Sequence, residues 1–466
     1  MRLCPLALVA AALGAVVLVT ALRPKPRTAP ARLHEARLPF VLPQTAPHAR
    51  ERQEERPAAV TASATTPPLT AMLPTPVDVL RRAAKVYVPD IELPSTFEPS
   101  AKSPCWHDAS GAPRCLPAFM LLGVYQSGSH DLYARLAKHA LVARNPSYSP
   151  SFYSEVHPWS DYMSKLSAAT RDAIGTEKLI GECSAVTFHF SWVHQEQFNQ
   201  AYVKSMGAFW KECTGRTLEQ KQALPHRECM ARHMPEARAA YQAVAAKAGL
   251  STPMLVPQLV RAVYGDEPGR QPALIVLLRL PWARMHAAFY NYVQYGKRYG
   301  ASVQGESAWA AEAVAAFRRC EANFTTDDCA RRFESLSRDN EEVFYHCDQL
   351  IKGMYAAFLP AWRREHQKIL FLRSEDYFAA VKPTLLRTMK FIGLPPPQTE
   401  QAWAPLLNAR RTLHGQRPAG GAPPMAKPTI EMLREFYKPS MERLVSMLAD
   451  VPDAEAWRSW ARRRWY

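Results

Sequence analysis

The 466-residue chain lacks several signatures that would have fixed its chemistry at once. Its nine cysteines include no C-x-x-C pair, so neither a zinc ribbon nor a thioredoxin-type redox pair has support. The turn from Gly123 to Gly128 has the spacing of a nucleotide P-loop, but Ser129 and His130 stand where Lys and then Ser or Thr should follow. A P-loop kinase is therefore disfavoured. No internal repeat is evident, and no RNA- or DNA-binding motif stands out. Acidic residues are the minority, 42 against 58 Lys and Arg, for a net charge of +16. That excess suits an anionic partner: a nucleotide, a sulfated glycan or a membrane surface. No metal site is expected.

The N-terminus carries the longest apolar run. Cys4 to Leu22 is uncharged, and at 1.5 Å per residue it would just cross a bilayer. It reads as an uncleaved signal anchor over residues 1–22, with a cleaved signal peptide ending near Ala21 as the alternative. Only Arg2 precedes the run, whereas Arg23, Lys25 and Arg27 follow it, which does not favour a cytosolic N-terminus. From Arg23 to about Ser100 the chain is rich in Pro, Ala, Thr and Arg. This region reads as a mobile stem without apolar periodicity. Eight cysteines follow the anchor, an even number that in a secretory context points to disulfides. Near-neighbour pairing would join Cys105 to Cys115, Cys213 to Cys229 and Cys320 to Cys329, although connectivity is open at this point. Asn323-Phe324-Thr325 is a glycosylation sequon, consistent with a lumenal domain. A secretory route makes nucleic acid an unsuitable partner.

A catalytic domain is expected over residues 101–466, as a single α/β domain with a mostly parallel central sheet and helices on both faces. Three strand-to-helix corners carry that expectation. Phe119–Leu122 is an apolar run followed by a polar turn, Gly123 to His130, and then by Leu132, Tyr133, Leu136 and Ala140 at helical spacing. Such a corner aims the unpaired N–H groups of a helix's first turn, and its positive dipole end, at an anion. Ser127 and Ser129 add hydroxyls. Pro272–Leu278 is a second buried strand, ending in Arg279; Pro281 opens a helix that continues to Gly296. Lys368–Arg373 is a third strand, and Ser374, Glu375 and Asp376 start a helix through Phe391, stopped by Gly393. Ser160–Ala173, Phe198–Cys213, Glu236–Ala248 and Pro428–Ala449 read as further helices, and Arg410–Lys427 as a loop. Ligands of open α/β sheets bind outside the carboxyl ends of the strands.

Taken in order, these stretches resemble the Golgi carbohydrate sulfotransferases. RCLPAFMLLGVYQSGSHDLYARL is similar to that family's phosphosulfate strand, loop and helix. LIVLLRLPWARMHAAFYNY resembles its 3′-phosphate segment. QLIKGMYAAFLPAWRREHQKILFLRSEDY and PTIEMLREFYKPSMERLVSML resemble two later stretches, and IGECSAVTF lies where the family has a similar segment. The resemblance covers most of Cys105 to Asp450. It implies a P-loop-like three-layer sulfotransferase fold, and 3′-phosphoadenosine 5′-phosphosulfate as co-substrate. A chondroitin- or dermatan-like glycan is the implied acceptor, and a type II Golgi membrane protein with a lumenal catalytic domain the implied setting. Carried residue by residue, it implies that Gln126, Ser127, Gly128, Ser129, His130 and Asp131 surround the 5′-phosphosulfate. Arg279 and position Ala287 would sit at the 3′-phosphate, with Gln126 and His130 as the catalytic candidates.

The sequence departs from the family at telling places. Gln126 stands where the family has a Lys; it can donate a hydrogen bond but has no charge. Ser129-His130 replaces a Thr-Thr pair. Arg144-Asn145-Pro146-Ser147 aligns with a Lys-Glu-Pro-His segment, and Asn145 cannot act as a base. Leu280 replaces an Asp, and Ala287 a phosphate-binding Ser. His130 is the candidate replacement donor and His157 a candidate base. Two functions compete: an active sulfotransferase, and a catalytically impaired protein on the same scaffold that binds glycan or nucleotide.

Overall fold

The apolar runs that the sequence marks as strands become neighbours in one sheet. The computed structural model describes residues 74–153, 158–189, 242–322, 324–331, 349–409 and 421–462, together with 236 and 239. Its elements in chain order begin with helix α1 (Val77–Tyr87), the hairpin β1 (Cys105–His107) and β2 (Pro113–Cys115), strand β3 (Phe119–Gly123) and α2 (Ser129–Leu136). Then come α3 (Trp159–Ala173), β4 (Gly181–Cys183), α4 (Val256–Tyr264), β5 (Ala273–Leu278), α5 (Pro281–Asn291), α6 (Val293–Tyr299) and α7 (Val303–Glu321). The order continues with α8 (Thr326–Arg331), α9 (Leu359–Glu365), β6 (Ile369–Arg373), α10 (Ser374–Ala379), α11 (Val381–Ile392), α12 (Glu400–Leu407), α13 (Lys427–Met447) and α14 (Ala454–Arg462).

The sheet runs β4-β3-β5-β6, and every pairing in it is parallel. Parallel strands need both faces covered, so their residues are apolar without alternation. All of β3 and β5 is buried. On one face Met120, Leu122, Leu274, Val276 and Leu278 pack into the larger core with α1, α3, α4 and α13. On the other, Phe119, Leu121, Ile275 and Leu277 meet Leu132 and Leu136 of α2, Leu385 and Met389 of α11, and Trp403 of α12. The three-layer α/β expectation holds.

Four expectations need correction or limits. The stem was expected to extend to about Ser100, but its last part is folded. Leu80, Ala83, Ala84 and Tyr87 form a buried stripe on α1, the Tyr87 hydroxyl accepts from Met254 N–H at 3.3 Å, and Arg270 holds the carbonyls of Glu98 and Ala101. The prolines at 76, 89, 94 and 99 bound these pieces rather than dissolve them. Second, the helix after β5 does not run to Gly296. It stops at Tyr292, whose ring stacks on Tyr125 of the β3–α2 turn at 5.6 Å, a tertiary contact that overrides local propensity. Third, the helix after β6 breaks at Ala380, and Pro383 falls in the first turn of α11, where its missing N–H is not needed. Fourth, the expected anchor (1–22), the helix at 198–213 and the Cys213–Cys229 pairing lie outside the described residues. Among the described residues, no helix is long and apolar enough to cross a membrane. The disulfides Cys105–Cys115, across the β1–β2 hairpin, and Cys320–Cys329 are present, and Cys183 is a buried free thiol.

Candidate active site

The turn between β3 and α2 is built by glycines at its two ends. Gly123 lies at φ 131°, and a Cβ there would fall 2.2 Å from the Ala185 carbonyl oxygen. Gly128 is the left-handed N-cap of α2, at φ 94°. A Cβ on it would meet the Phe378 ring at 2.6 Å. Between them Val124 N–H donates to the Leu277 carbonyl at 3.0 Å and Ser127 N–H to the Val124 carbonyl at 3.1 Å. Gln126 takes φ 64° without being glycine. The Leu132 N–H to Gly128 carbonyl bond, 3.0 Å, closes the first turn of the helix. The N–H groups ahead of it belong to the set that a helix leaves to other partners, with the positive end of its dipole behind them.

Two further strand ends converge on this turn. Arg279, just past β5, donates from Nη1 to the Gln126 carbonyl at 2.8 Å, and its own carbonyl accepts from Tyr355 Oη at 2.7 Å. Ser374, just past β6, donates from Oγ to the Ser127 carbonyl at 2.6 Å. Glu375 fixes the second corner: its carboxylate accepts from Leu280 N–H at 3.0 Å and from Trp460 Nε1 at 2.6 Å. The carboxyl ends of β3, β5 and β6 thus meet at one place, as ligand sites of open α/β sheets do. Beside them opens a cavity of about 710 Å³, lined among others by Arg279, Trp282, His286, Ser374, Phe378 and Met425.

The predicted residues divide into those that face this place and those that do not. Gln126, Gly128 and His130 are half-buried in the turn. His130 lies edge-on to the Tyr148 ring at 5.7 Å. Ser127 is buried, and its hydroxyl has no hydrogen-bond partner among the described residues. Ser129 differs from expectation, because its hydroxyl turns inward onto the buried Cys183 thiol. Asp131 also turns away: its Oδ2 pairs with Arg135 Nε at 3.0 Å and accepts from Tyr377 Oη. It can offer the site only its backbone N–H. Asn145 is a structural staple, donating to the Gly181 carbonyl at 3.0 Å and accepting from Ser147 N–H at 3.2 Å. Ala287 lies on α5 and offers only a methyl group, and Leu280 is buried. His157 lies outside the described residues.

Three acidic residues were not read as part of the site. Glu182 of β4 is fully buried between Tyr162 Oη (2.8 Å) and Ser184 Oγ (2.7 Å); burial raises its carboxyl to about 7, against the pull of those two hydrogen bonds. Glu306 is buried behind His286, and Glu375 clamps the second corner. A lone Glu in an apolar stretch has no spacing to betray it, so Glu182 showed only as part of IGECSAVTF. His286 and Glu306 are 20 residues apart on different helices, and nothing in one sequence couples them. Among the described residues, no three His, Cys, Asp or Glu side chains cluster to hold a metal ion.

No protein-family model matches the chain. It is 30% identical over 192 residues to carbohydrate sulfotransferase 15 of Homo sapiens, a match over 40% of this chain and 31% of that protein. The carbohydrate sulfotransferase 15 of Mus musculus aligns over 79% of this chain and 67% of its own length, at 24% identity. With the human relative, then, the match spans about a third of that protein's length. Among solved structures, a sulfotransferase from Alicyclobacillus acidocaldarius overlaps 74% of this chain and 99% of its own at 13% identity, with a TM-score of 0.35, too loose to carry an argument. These similarities fall in with the ordered stretches of the sequence: the chain is similar to carbohydrate sulfotransferase 15 of Homo sapiens and of Mus musculus.

Proposed function

We propose that the chain is a sulfotransferase that moves sulfate from 3′-phosphoadenosine 5′-phosphosulfate to a hydroxyl of a chondroitin- or dermatan-like glycan. The observation that carries this reading is the Arg279 guanidinium set 2.8 Å from the Gln126 carbonyl. It joins a helix-N-terminal anion corner to a fixed cation at adjacent strand ends. The buried Ser127 hydroxyl, without a hydrogen-bond partner among the described residues, fits an anionic ligand in the turn, since a buried polar group costs free energy until it is paired. When bound, the donor supplies an activated sulfuryl group on a phosphate leaving group. The turn's N–H groups and Ser127 Oγ would hold the phosphosulfate, Gln126 would donate a neutral hydrogen bond, and Arg279 would hold the 3′-phosphate. His130, at the start of α2, is the proposed donor or base beside it.

A second reading has its own support. Gln126 carries no charge, and Asn145 is tied at both ends of its amide by backbone groups, so two groups expected to drive transfer are missing. A scaffold that binds nucleotide or glycan without transfer fits those facts. The anchor over residues 1–22, the Pro-rich stem ahead of residue 74, and a Golgi-lumenal placement complete the proposal, with membrane and glycan as partners.

Transfer of radiolabelled sulfate to a panel of glycosaminoglycans, measured beside nucleotide binding, tests both readings. Gln126→Lys restores a cation in the turn, and a charged transition-state contact is worth roughly 10²–10³ in rate. An active enzyme should gain transfer in that variant with little change in stability. Nucleotide binding without transfer in either protein would select the binding scaffold. Failure of both proteins to bind nucleotide would refute the site.

A further inference from the structure

The cavity beside Arg279 contains a second candidate cation that no sequence pattern announced. Arg279 precedes α5; Ala283 and His286, one turn apart on that helix, line the same cavity. His286 Nδ1 lies 2.8 Å from Glu306 Oε1, on α7. Glu306 is 1% exposed, and its second oxygen has no hydrogen-bond partner among the described residues. A buried carboxylate is costly without a cationic partner. With Nδ1 committed to Glu306, Nε2 is the nitrogen that remains for the cavity, and the bond behind the ring fixes its orientation. The next residue, Ala287, has no hydroxyl to offer. The remaining walls include Trp282, Phe378, Met425 and Ile430, apolar surfaces suited to a base or a sugar face rather than to a free ion.

We propose that His286, backed by buried Glu306, is a phosphate-binding residue that grips a phosphomonoester of the nucleotide together with Arg279. The proposal rests on the sulfotransferase reading of the site and deepens it. In the bound state the ring is an imidazolium between two anions: Nδ1–H donates to Glu306, and Nε2–H donates to the phosphate. Binding therefore draws a proton onto the ring wherever the free ring is neutral. The charged and titratable groups around it are Glu306 of α7, Tyr290 on its own helix, 5.1 Å away ring to ring, and Arg279 and Glu375 across the cavity. Glu375 already accepts from Leu280 N–H and Trp460 Nε1, and those dipoles screen it in part from an entering phosphate.

The test is calorimetric titration of the full chain with adenosine 3′,5′-bisphosphate and with adenosine 5′-monophosphate, in buffers of different ionisation enthalpy. His286→Ala alone would strand the Glu306 charge, so His286→Ala is combined with Glu306→Gln, and thermal unfolding checks the fold. Arg279→Ala serves as the reference. The expected result is a loss of about tenfold in bisphosphate affinity in the double variant, the size of one charge-assisted hydrogen bond. Monophosphate affinity should be unchanged, and the buffer-dependent proton uptake should disappear. If the double variant is folded and keeps the wild-type ratio of bisphosphate to monophosphate affinity, while Arg279→Ala loses it, the role of His286 is overturned and the donor site stands. If wild type binds neither nucleotide, the sulfotransferase reading fails and takes this proposal with it.

Discussion

Glu182 offers the sharpest test of the energetics, because among the described residues its environment holds two neutral donors and no cation. It lies in β4 opposite Met120 of β3, with Tyr162 Oη and Ser184 Oγ on its two oxygens. Burial raises its carboxyl from an ordinary 4.5 to about 7. At 1.36 kcal/mol for each tenfold change in proton affinity, that gap is worth about 3 kcal/mol. Between the two values the folded chain keeps a proton that the unfolded chain has released. Stability therefore falls as pH rises through this window and is flat above it. Glu182→Gln keeps the volume and both hydrogen bonds: the amide oxygen accepts from one hydroxyl and the amide NH₂ donates to the other. It never ionises. The advantage of the variant over wild type should grow by roughly 3 kcal/mol between pH 4.5 and 8.

The comparison must be a difference, because His366 pulls the other way. Burial lowers its imidazole from 6.5 to about 4, against the opposite pull of its hydrogen bond with the Pro257 carbonyl. The unfolded chain then binds the extra proton, and stability is lost as pH falls below 6.5. In wild type the two slopes oppose each other across much of the range. Subtracting wild type from variant cancels His366 and leaves Glu182. Urea denaturation at pH 5, 6, 7 and 8 measures it. A variant-minus-wild-type difference that stays flat with pH would refute the reasoning.

Gly128→Ala puts a methyl group into the Phe378 ring at a left-handed φ, and should cost about 1–2 kcal/mol from the backbone alone. Adding Phe378→Ala should remove the clash but not the backbone term, so incomplete recovery in thermal unfolding is the expected sign. Tyr377→Phe takes one donor from the buried Asp131 and should lower stability by about 1.5–3 kcal/mol, with nucleotide affinity moving less than stability; no loss on urea titration would show that Arg135 suffices. Replacing both Cys105 and Cys115 by Ser opens a bridge of sequence separation 10, worth about 3 kcal/mol on the loop-entropy account; non-reducing melts of variant and wild type should differ accordingly, whereas reducing the wild type also opens Cys320–Cys329 and should cost more.

Much of the fold was legible because parallel strands announce themselves. Phe119–Leu122, Ala273–Leu278 and Ile369–Arg373 are continuous apolar runs, each leading at once into a helical pattern, and that pairing has few other structural readings. The fourth strand was not legible: Gly181–Cys183 is three residues long and holds a Glu. Helix α1 was hidden by the prolines around it, although its stripe at 80, 83, 84 and 87 has helical spacing. In the site, the backbone turn and Arg279 were readable from local pattern. The directions of Ser129 and Asp131 were not, because they depend on Cys183, Arg135 and Tyr377, which reach them from β4, from the next helical turn and from α10. Sequence gives a residue's chemistry; which neighbour it faces is decided by the packing of elements distant in the chain.

That packing also separates the two proposed functions physically. The turn is held from three sides: Val124 by β5, the Gln126 carbonyl by Arg279, and the Ser127 carbonyl by Ser374. Behind it, α2 is tied to α10 through Asp131 and Tyr377, and to α12 through Arg135, whose Nη1 donates to the Leu406 carbonyl at 3.0 Å. Donors fixed in this way need little ordering when an anion arrives, and preorganised donors are what anion binding requires. Rate requires more, namely charge that is felt most strongly as the bond to the leaving group breaks. The frame that would serve binding depends on backbone groups and remote side chains, and those contacts are made. The groups that would serve rate are single side chains, and at 126 and 145 they are uncharged. Binding can therefore persist where transfer is weak. On the transfer reading, a cation placed at residue 126 would act on rate without touching the frame, since Lys occupies the left-handed backbone there at about the same cost as Gln.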